Sequence, residues 1–254
     1  MSSIISIHSY RGGTGKSNST ANLAALLACE GYRVAIVDTD IQSPGIHVLF
    51  GFDEERIRLS LNDYLWGKCA IADAAYDVTP TLGERAKPGS QLFLVPSSVK
   101  LMDISRIIRD RYDVELLHLG FQELIQALQL DYLLLDTHPG LNEETLLSLT
   151  LSDIVLLVLR PDQQDFQGTA VTVDVANRLQ VPHVLLLLNK VLPHYDFEDL
   201  RQKVIATYDT PVVGIIPLSE DVIDLASNGI FSLKYPEHPL SQIYLQVSQQ
   251  LMQL

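Results

Sequence analysis

Seven short, nearly unbroken apolar runs rich in β-branched residues recur along the chain, at Ile4–Ile7, Val34–Val37, Leu92–Val95, Tyr132–Leu135, Ile154–Leu159, His183–Leu188 and Val212–Ile216. A strand with one face in water alternates apolar and polar side chains. Unbroken runs therefore belong to strands covered on both faces, as in parallel sheets. Stretches of helical spacing separate them, at 18–30, 102–111, 115–128, 165–179 and 197–208. Strands alternating with helices require right-handed crossovers. The expected fold is α/β: a doubly wound, mostly parallel sheet of about seven or eight strands flanked by helices. At 254 residues it is expected to form one domain, 1–254. Segment 52–90, which carries Pro80, Gly83, Pro88 and Gly89, breaks the alternation and reads as a helical excursion plus a loop.

Composition removes several classes of function. With 47% hydrophobic and 19% charged residues, the chain is too apolar to be disordered. Eighteen Lys and Arg against 31 Asp and Glu give a net charge of −13, which repels polyanions and leaves DNA unsupported as a partner. The two cysteines, Cys29 and Cys69, lie far apart, which disfavours a disulfide framework, an iron–sulfur site or a structural zinc. Met1-Ser2-Ser3 leads into an apolar strand without a basic segment, and no apolar run nears the roughly 20 residues of a bilayer span, so a cytoplasmic location is expected. Leu240–Leu254 is amphipathic but has no Lys or Arg. It suits a last helix packed on the sheet better than a membrane-surface helix, and no membrane-targeting helix is evident.

The most informative turn follows the first strand: Ser9-Tyr10-Arg11-Gly12-Gly13-Thr14-Gly15-Lys16-Ser17. Glycines at 12, 13 and 15 let successive N–H groups converge, and the start of the next helix adds unpaired donors, which together make an anion cradle. Lys16 can reach the β- and γ-phosphates of a nucleotide, and the Ser17 hydroxyl is placed to ligate Mg²⁺. The usual phosphate-loop spacing would require glycine at position 10, where this chain has Tyr10.

Two further segments place acids at strand ends. In Asp38-Thr39-Asp40, one carboxylate can touch a metal's waters while the other faces the γ-phosphate, although a solvated turn accounts for the same residues. The strand Tyr132–Leu135 delivers Asp136 rigidly toward the same metal, and Thr137–Asn142 behind it has the makings of a mobile switch around Gly140. His138 in that switch is either a base or a residue packed beside the loop.

Arg11–Ser17 resembles the deviant Walker A motif of the MinD/ParA family, Lys-Gly-Gly-x-Gly-Lys-[Ser/Thr], with Arg11 where the family has its signature lysine. Segments from residue 4 to about 229 follow the family's order, including Asp38–Gly45 as switch I and Asp136–Asn142 as Walker B and switch II. The resemblance implies a slow Mg²⁺-dependent ATPase that binds ATP or ADP, forms an ATP-dependent homodimer and positions or partitions a cargo through an unidentified protein partner or cargo adaptor. By the same resemblance, Asp40 orients the attacking water, Lys16 contacts phosphate, and Arg11 reaches across the dimer to the partner's phosphates. The nucleotide would be held by Gly12, Gly13, Thr14, Gly15, Lys16, Ser17 and Asn18, with Asn189 on the adenine and Pro217 and Leu218 packed against the base. Ser17, Asp38 and Asp136 would serve the metal. Asn18 stands where the family more often has a hydroxyl residue.

The MinD branch carries a basic C-terminal tail and the ParA branch basic residues for DNA. From residue 190 onward this chain has only Lys190, Arg201, Lys203 and Lys234 against eight acids. The family's iron–sulfur carriers need cysteine ligands that this chain lacks. Tyr10, Arg11 and Asn18 also suit a regulatory or scaffold protein that binds nucleotide with little or no hydrolysis. An ATP-dependent ligase of the dethiobiotin-synthetase type would need a further acid or amine pocket that the sequence does not reveal.

Overall fold

The computed structural model describes residues 2–110 and 112–254. Met1, at the head of the expected first strand, and Arg111, at the end of the expected 102–111 helix, lie outside the described residues.

The strands are β1 (Ser3–His8), β2 (Arg33–Asp38), β3 (Tyr76–Asp77), β4 (Gln91–Val95), β5 (Tyr132–Asp136), β6 (Ile154–Leu159), β7 (His183–Val191) and β8 (Val212–Pro217). They form one sheet in the order β3-β4-β2-β5-β1-β6-β7-β8. All pairings are parallel except that of the two-residue edge strand β3 with β4. The helices are α1 (Lys16–Cys29), α2 (Leu61–Leu65), α3 (Leu101–Asp110), α4 (Glu115–Leu128), α5 (Glu143–Leu151), α6 (Gln163–Arg178), α7 (Phe197–Tyr208), α8 (Glu220–Leu225), α9 (Phe231–Lys234) and α10 (Pro239–Leu251).

The unbroken apolar runs do what two-sided burial requires. Ile5, Ile36, Leu94, Leu134 and Leu156 face a core shared with α1 and α10, whereas their neighbours Ala35, Val37, Leu133 and Leu135 pack toward α2 and α4. Val155, Leu157, Leu186 and Leu188 meet α6 and α7 on the same far side. Helix α10 seats Leu240, Tyr244, Val247 and Leu251 in the core against α1 and β8. Among the described residues no helix is long and apolar enough to cross a membrane.

Segment 52–90 holds α2, two 3₁₀ turns (Ile71–Ala74 and Thr79–Arg85) and β3. Helix α5 had no counterpart in the sequence reading, although Asn142 caps it by accepting the Thr145 N–H at 2.7 Å. The chain passes from β1 through α1 to β2, two positions away, and β5 later fills the gap. The carboxyl ends of β1, β2 and β5 are thereby brought side by side, the usual location of ligand sites in open α/β sheets.

Candidate functional site

The turn after β1 curls as its glycines predict. Gly13 and Gly15 have φ of +78° and +93°, a region that disfavours side chains. No side chain caps the first turn of α1, so its N–H groups remain available to an anion. Space around Gly13 is open, with nothing within 4 Å of where a Cβ would stand, whereas a Cβ on Gly15 would lie 2.2 Å from Asn189 Nδ2. Asn189 donates to the Thr14 carbonyl at 2.8 Å and Lys190 Nζ to the Gly13 carbonyl at 2.7 Å, so the end of β7 braces the loop. The Lys190 brace was not foreseen from the sequence, because an Asn-Lys pair in a loop is common. Ser17 and Asn18, at the start of α1, are both half-buried.

Three acids converge beneath that loop. Asp38 and Asp136 are register partners at the ends of β2 and β5. Lys16 Nζ lies 2.8 Å from Asp136 Oδ1, with the lysine 7% and the aspartate 1% exposed at their side chains. Thr20, one helical turn beyond Lys16, donates to the same oxygen at 3.2 Å. Asp38 is fully buried; its Oδ1 accepts the Asp40 N–H at 3.1 Å and its Oδ2 has no partner. Burial first, then the neighbouring Asp136 charge, push its carboxyl well above the usual range, against the pull of Lys16. One lysine thus faces two buried carboxylates.

The unpaired Oδ2 atoms of Asp38 and Asp136 and the unpaired Thr14 hydroxyl are what a hard cation and a phosphate chain would satisfy. Among the described residues no group of three or more His, Cys, Asp and Glu could hold a metal alone. The donors present suit Mg²⁺, which keeps several waters and shares its shell with substrate phosphates.

Asp40 is tied to the segment that follows β5. Its Oδ1 accepts from His138 Nδ1 at 2.6 Å and from the Ser43 N–H at 3.2 Å. Beside it, the Thr137 hydroxyl donates to the Ile7 carbonyl, so His8 Nδ1 must donate to Thr137 at 2.7 Å. His8 is fully buried, and burial, reinforced by Lys16 and His138, lowers its pKa to about 3 and keeps it neutral.

A cavity of about 170 Å³ opens beside the loop, lined by Asn18, Asn189, Pro217 and Leu218 together with Phe231 and Tyr244. The expected base-binding residues therefore come together, and Phe231 and Tyr244 join them from helices remote in sequence.

Arg11 and Tyr10 point elsewhere. Arg11 Nη1 lies 3.4 Å from Asp162 and 3.4 Å from Asp165 of its own chain, and Arg160 shares both acids. Tyr10 lays its ring on α6: a Cβ on Gly168 would fall 1.9 Å from Tyr10 Cδ1. The side chain at the non-glycine position is thus turned out of the phosphate cradle.

Residues 2–184 match a family model described as an AAA domain, AAA_31. Over 255 residues the chain is 27% identical to an uncharacterized ATP-binding protein of Methanocaldococcus jannaschii, covering 99% of this chain and 88% of that protein. Among the solved structures that share its fold are two MinD proteins. The MinD cell division protein of Aquifex aeolicus superposes with a TM-score of 0.79 at 21% identity, covering 100% of this chain and 98% of that one. The septum site-determining protein MinD of Pyrococcus horikoshii, solved with Mg-ADP, gives 0.78 at 24% identity, covering 99% and 96%.

Proposed function

Because the chain belongs to the AAA-domain family AAA_31 and has the fold of the MinD/ParA P-loop ATPases, we propose that it is an Mg²⁺-dependent ATPase whose ATP-bound form dimerises to position a cargo inside the cell. The observation that carries this reading is the buried junction of Lys16 with Asp136 at 2.8 Å beneath an uncapped helix start, beside unpaired oxygens on Asp38 and Asp136.

The γ-phosphate competes with Asp136 for Lys16, and the N–H groups around Gly13, Thr14 and Gly15 take the remaining phosphate charge. Ser17, Asp38 and Asp136 would hold Mg²⁺, which neutralises charge on the phosphates when bound. Asp40 orients the attacking water, and hydrolysis by positioning needs no strong base. Asn18, Asn189, Pro217 and Leu218, which share one cavity, would hold the base. Arg11, 38% exposed at its side chain, makes contacts worth about 1 kcal/mol or less, which a partner's phosphates can replace on dimerisation.

Isothermal calorimetry on nucleotide-stripped protein tests the binding half: heat with ATP and ADP is expected for the wild type and lost in Lys16→Ala. Size exclusion tests the switch, since Asp40→Ala with Mg-ATP is expected to elute as a dimer. The Arg11 contacts to Asp162 and Asp165 favour one second reading, a nucleotide-binding scaffold with little turnover. Phosphate release abolished by Lys16→Ala would remove it.

A further inference from the structure

Asp40 can orient water only if its own carboxylate is held, and the hold comes from the other switch. Its Oδ1 takes two hydrogen bonds, from His138 Nδ1 at 2.6 Å and the Ser43 N–H at 3.2 Å, while its Oδ2 has no hydrogen-bond partner among the described residues. A carboxylate only accepts, so His138 must carry its proton on Nδ1.

His138 is itself rigidly presented. Before it, Thr137 donates through both N–H and hydroxyl to the Ile7 carbonyl, at 3.3 and 3.0 Å. After it, the Gly140 N–H donates to the Ser9 carbonyl at 3.0 Å. The Thr145 hydroxyl donates to the His138 carbonyl at 3.3 Å. The imidazole therefore stands on backbone fixed to β1 and to the head of the phosphate loop, 26% exposed at its side chain.

We propose that His138 is a positioning residue for hydrolysis: it fixes Asp40 through Oδ1 so that Oδ2 is presented to the attacking water, and it couples the two switch segments through that single bond. It acts through Asp40 and touches no reacting atom. The inference rests on the hydrolytic reading above and adds to it the residue that makes Asp40 competent.

The test compares wild type, Lys16→Ala, His138→Ala and His138→Asn, whose amide nitrogen can stand where Nδ1 does. Each is assayed for ADP binding by calorimetry and for steady-state phosphate release. His138→Ala is expected to lower kcat by about ten- to a hundredfold, the scale of one charge-assisted hydrogen bond, with ADP affinity and KM within about twofold of wild type. His138→Asn is expected to regain most of the loss, and adding His138→Ala to Asp40→Ala to cost nothing further. Should His138→Ala not fold, His138→Gln, which displaces the donor by one carbon, replaces it. Unchanged turnover in His138→Ala, failure of His138→Asn to rescue, or loss of ADP affinity together with kcat would each overturn the proposal. Wild type that binds ADP without turning over ATP would overturn it as well, while Lys16→Ala calorimetry reports separately on nucleotide binding.

Discussion

Replacing Asp38 by Asn is expected to stabilise the nucleotide-free protein while removing its response to Mg-ATP. Asp38 is fully buried with one carboxylate oxygen unpartnered, and Lys16 is already bonded to Asp136. Burial and the Asp136 charge raise its folded pKa, so the folded state must either protonate Asp38 or hold an unpaired anion. A raised acid contributes its full stability below the unfolded pKa of about 3.9 and loses it as pH climbs toward the folded value, at about 1.4 kcal/mol per unit. Between pH 3.9 and 7 the ceiling is about 4 kcal/mol. The amide keeps Oδ1 as acceptor for Asp40, carries no charge and adjoins a carboxylate that can accept from it. At about 2–4 °C per kcal/mol for a chain of this size, the Asn variant should melt several degrees higher at pH 7. That gap should close as pH falls toward 4. Circular dichroism melts at pH 5, 6 and 7 measure it. Mg-ATP at a hundred times its Kd should narrow the gap, since it adds about 2.7 kcal/mol to the wild type alone. An Asn variant melting at or below wild type without nucleotide, or a gap that ignores pH, would refute the electrostatic reasoning.

Gly15→Ala would put a methyl 2.2 Å from Asn189 Nδ2 at φ +93°, and the loss of the brace with the strained backbone should cost about 2–3 kcal/mol in urea unfolding and abolish the ADP heat. Lys16→Ala leaves Asp136 buried and unpaired and should destabilise by about 3–5 kcal/mol, whereas Lys16→Met with Asp136→Asn should recover most of that, measured by the same unfolding curves. His8 is neutral when folded with a pKa near 3, so its contribution is present above about 6.5 and lost on acidification, amounting to about 2 kcal/mol between pH 6.5 and 5; His8→Gln should flatten that part of the stability–pH curve. Arg11→Ala should keep ADP binding and abolish the ATP-dependent shift in elution volume.

The sheet was legible because two-sided burial writes itself as unbroken apolar runs, and seven of the eight strands coincide with such runs within about three residues at each end. The eighth, Tyr76–Asp77, is two residues on an antiparallel edge and leaves no periodicity to detect. Helix α5 has no counterpart in the sequence expectations because its cap, Asn142, is the last residue of the expected switch Thr137–Asn142 and its nine residues carry no clear apolar stripe. The phosphate loop and its acids were legible because order along the chain sufficed to bring them together. The side-chain partners were not. Arg11 meets Asp162 and Asp165 across some 150 residues, Asp40 meets His138 across 98, and Tyr10 reaches Gly168 of α6. No local pattern encodes such pairs; they exist only once the crossovers have set the strand order.

That strand order also explains how so acidic a site comes to sit at the carboxyl ends of the sheet's central strands. Because β5 lies between β1 and β2, Asp136 is forced beside both Asp38 and the lysine that opens α1, and its second hydrogen bond comes from Thr20 one turn along the same helix. Lys16 can neutralise one buried acid but not two, so the nucleotide-free protein retains an unpaired oxygen on each of Asp38 and Asp136. Filling the remaining core positions has no bearing on that deficit; a proton on Asp38 or a bound cation would relieve it. The same crossover that makes the fold compact therefore leaves it short of one positive charge at the place where Mg-ATP would supply it. A protein in which Asp38 were swapped for an apolar residue should fold more firmly and switch not at all.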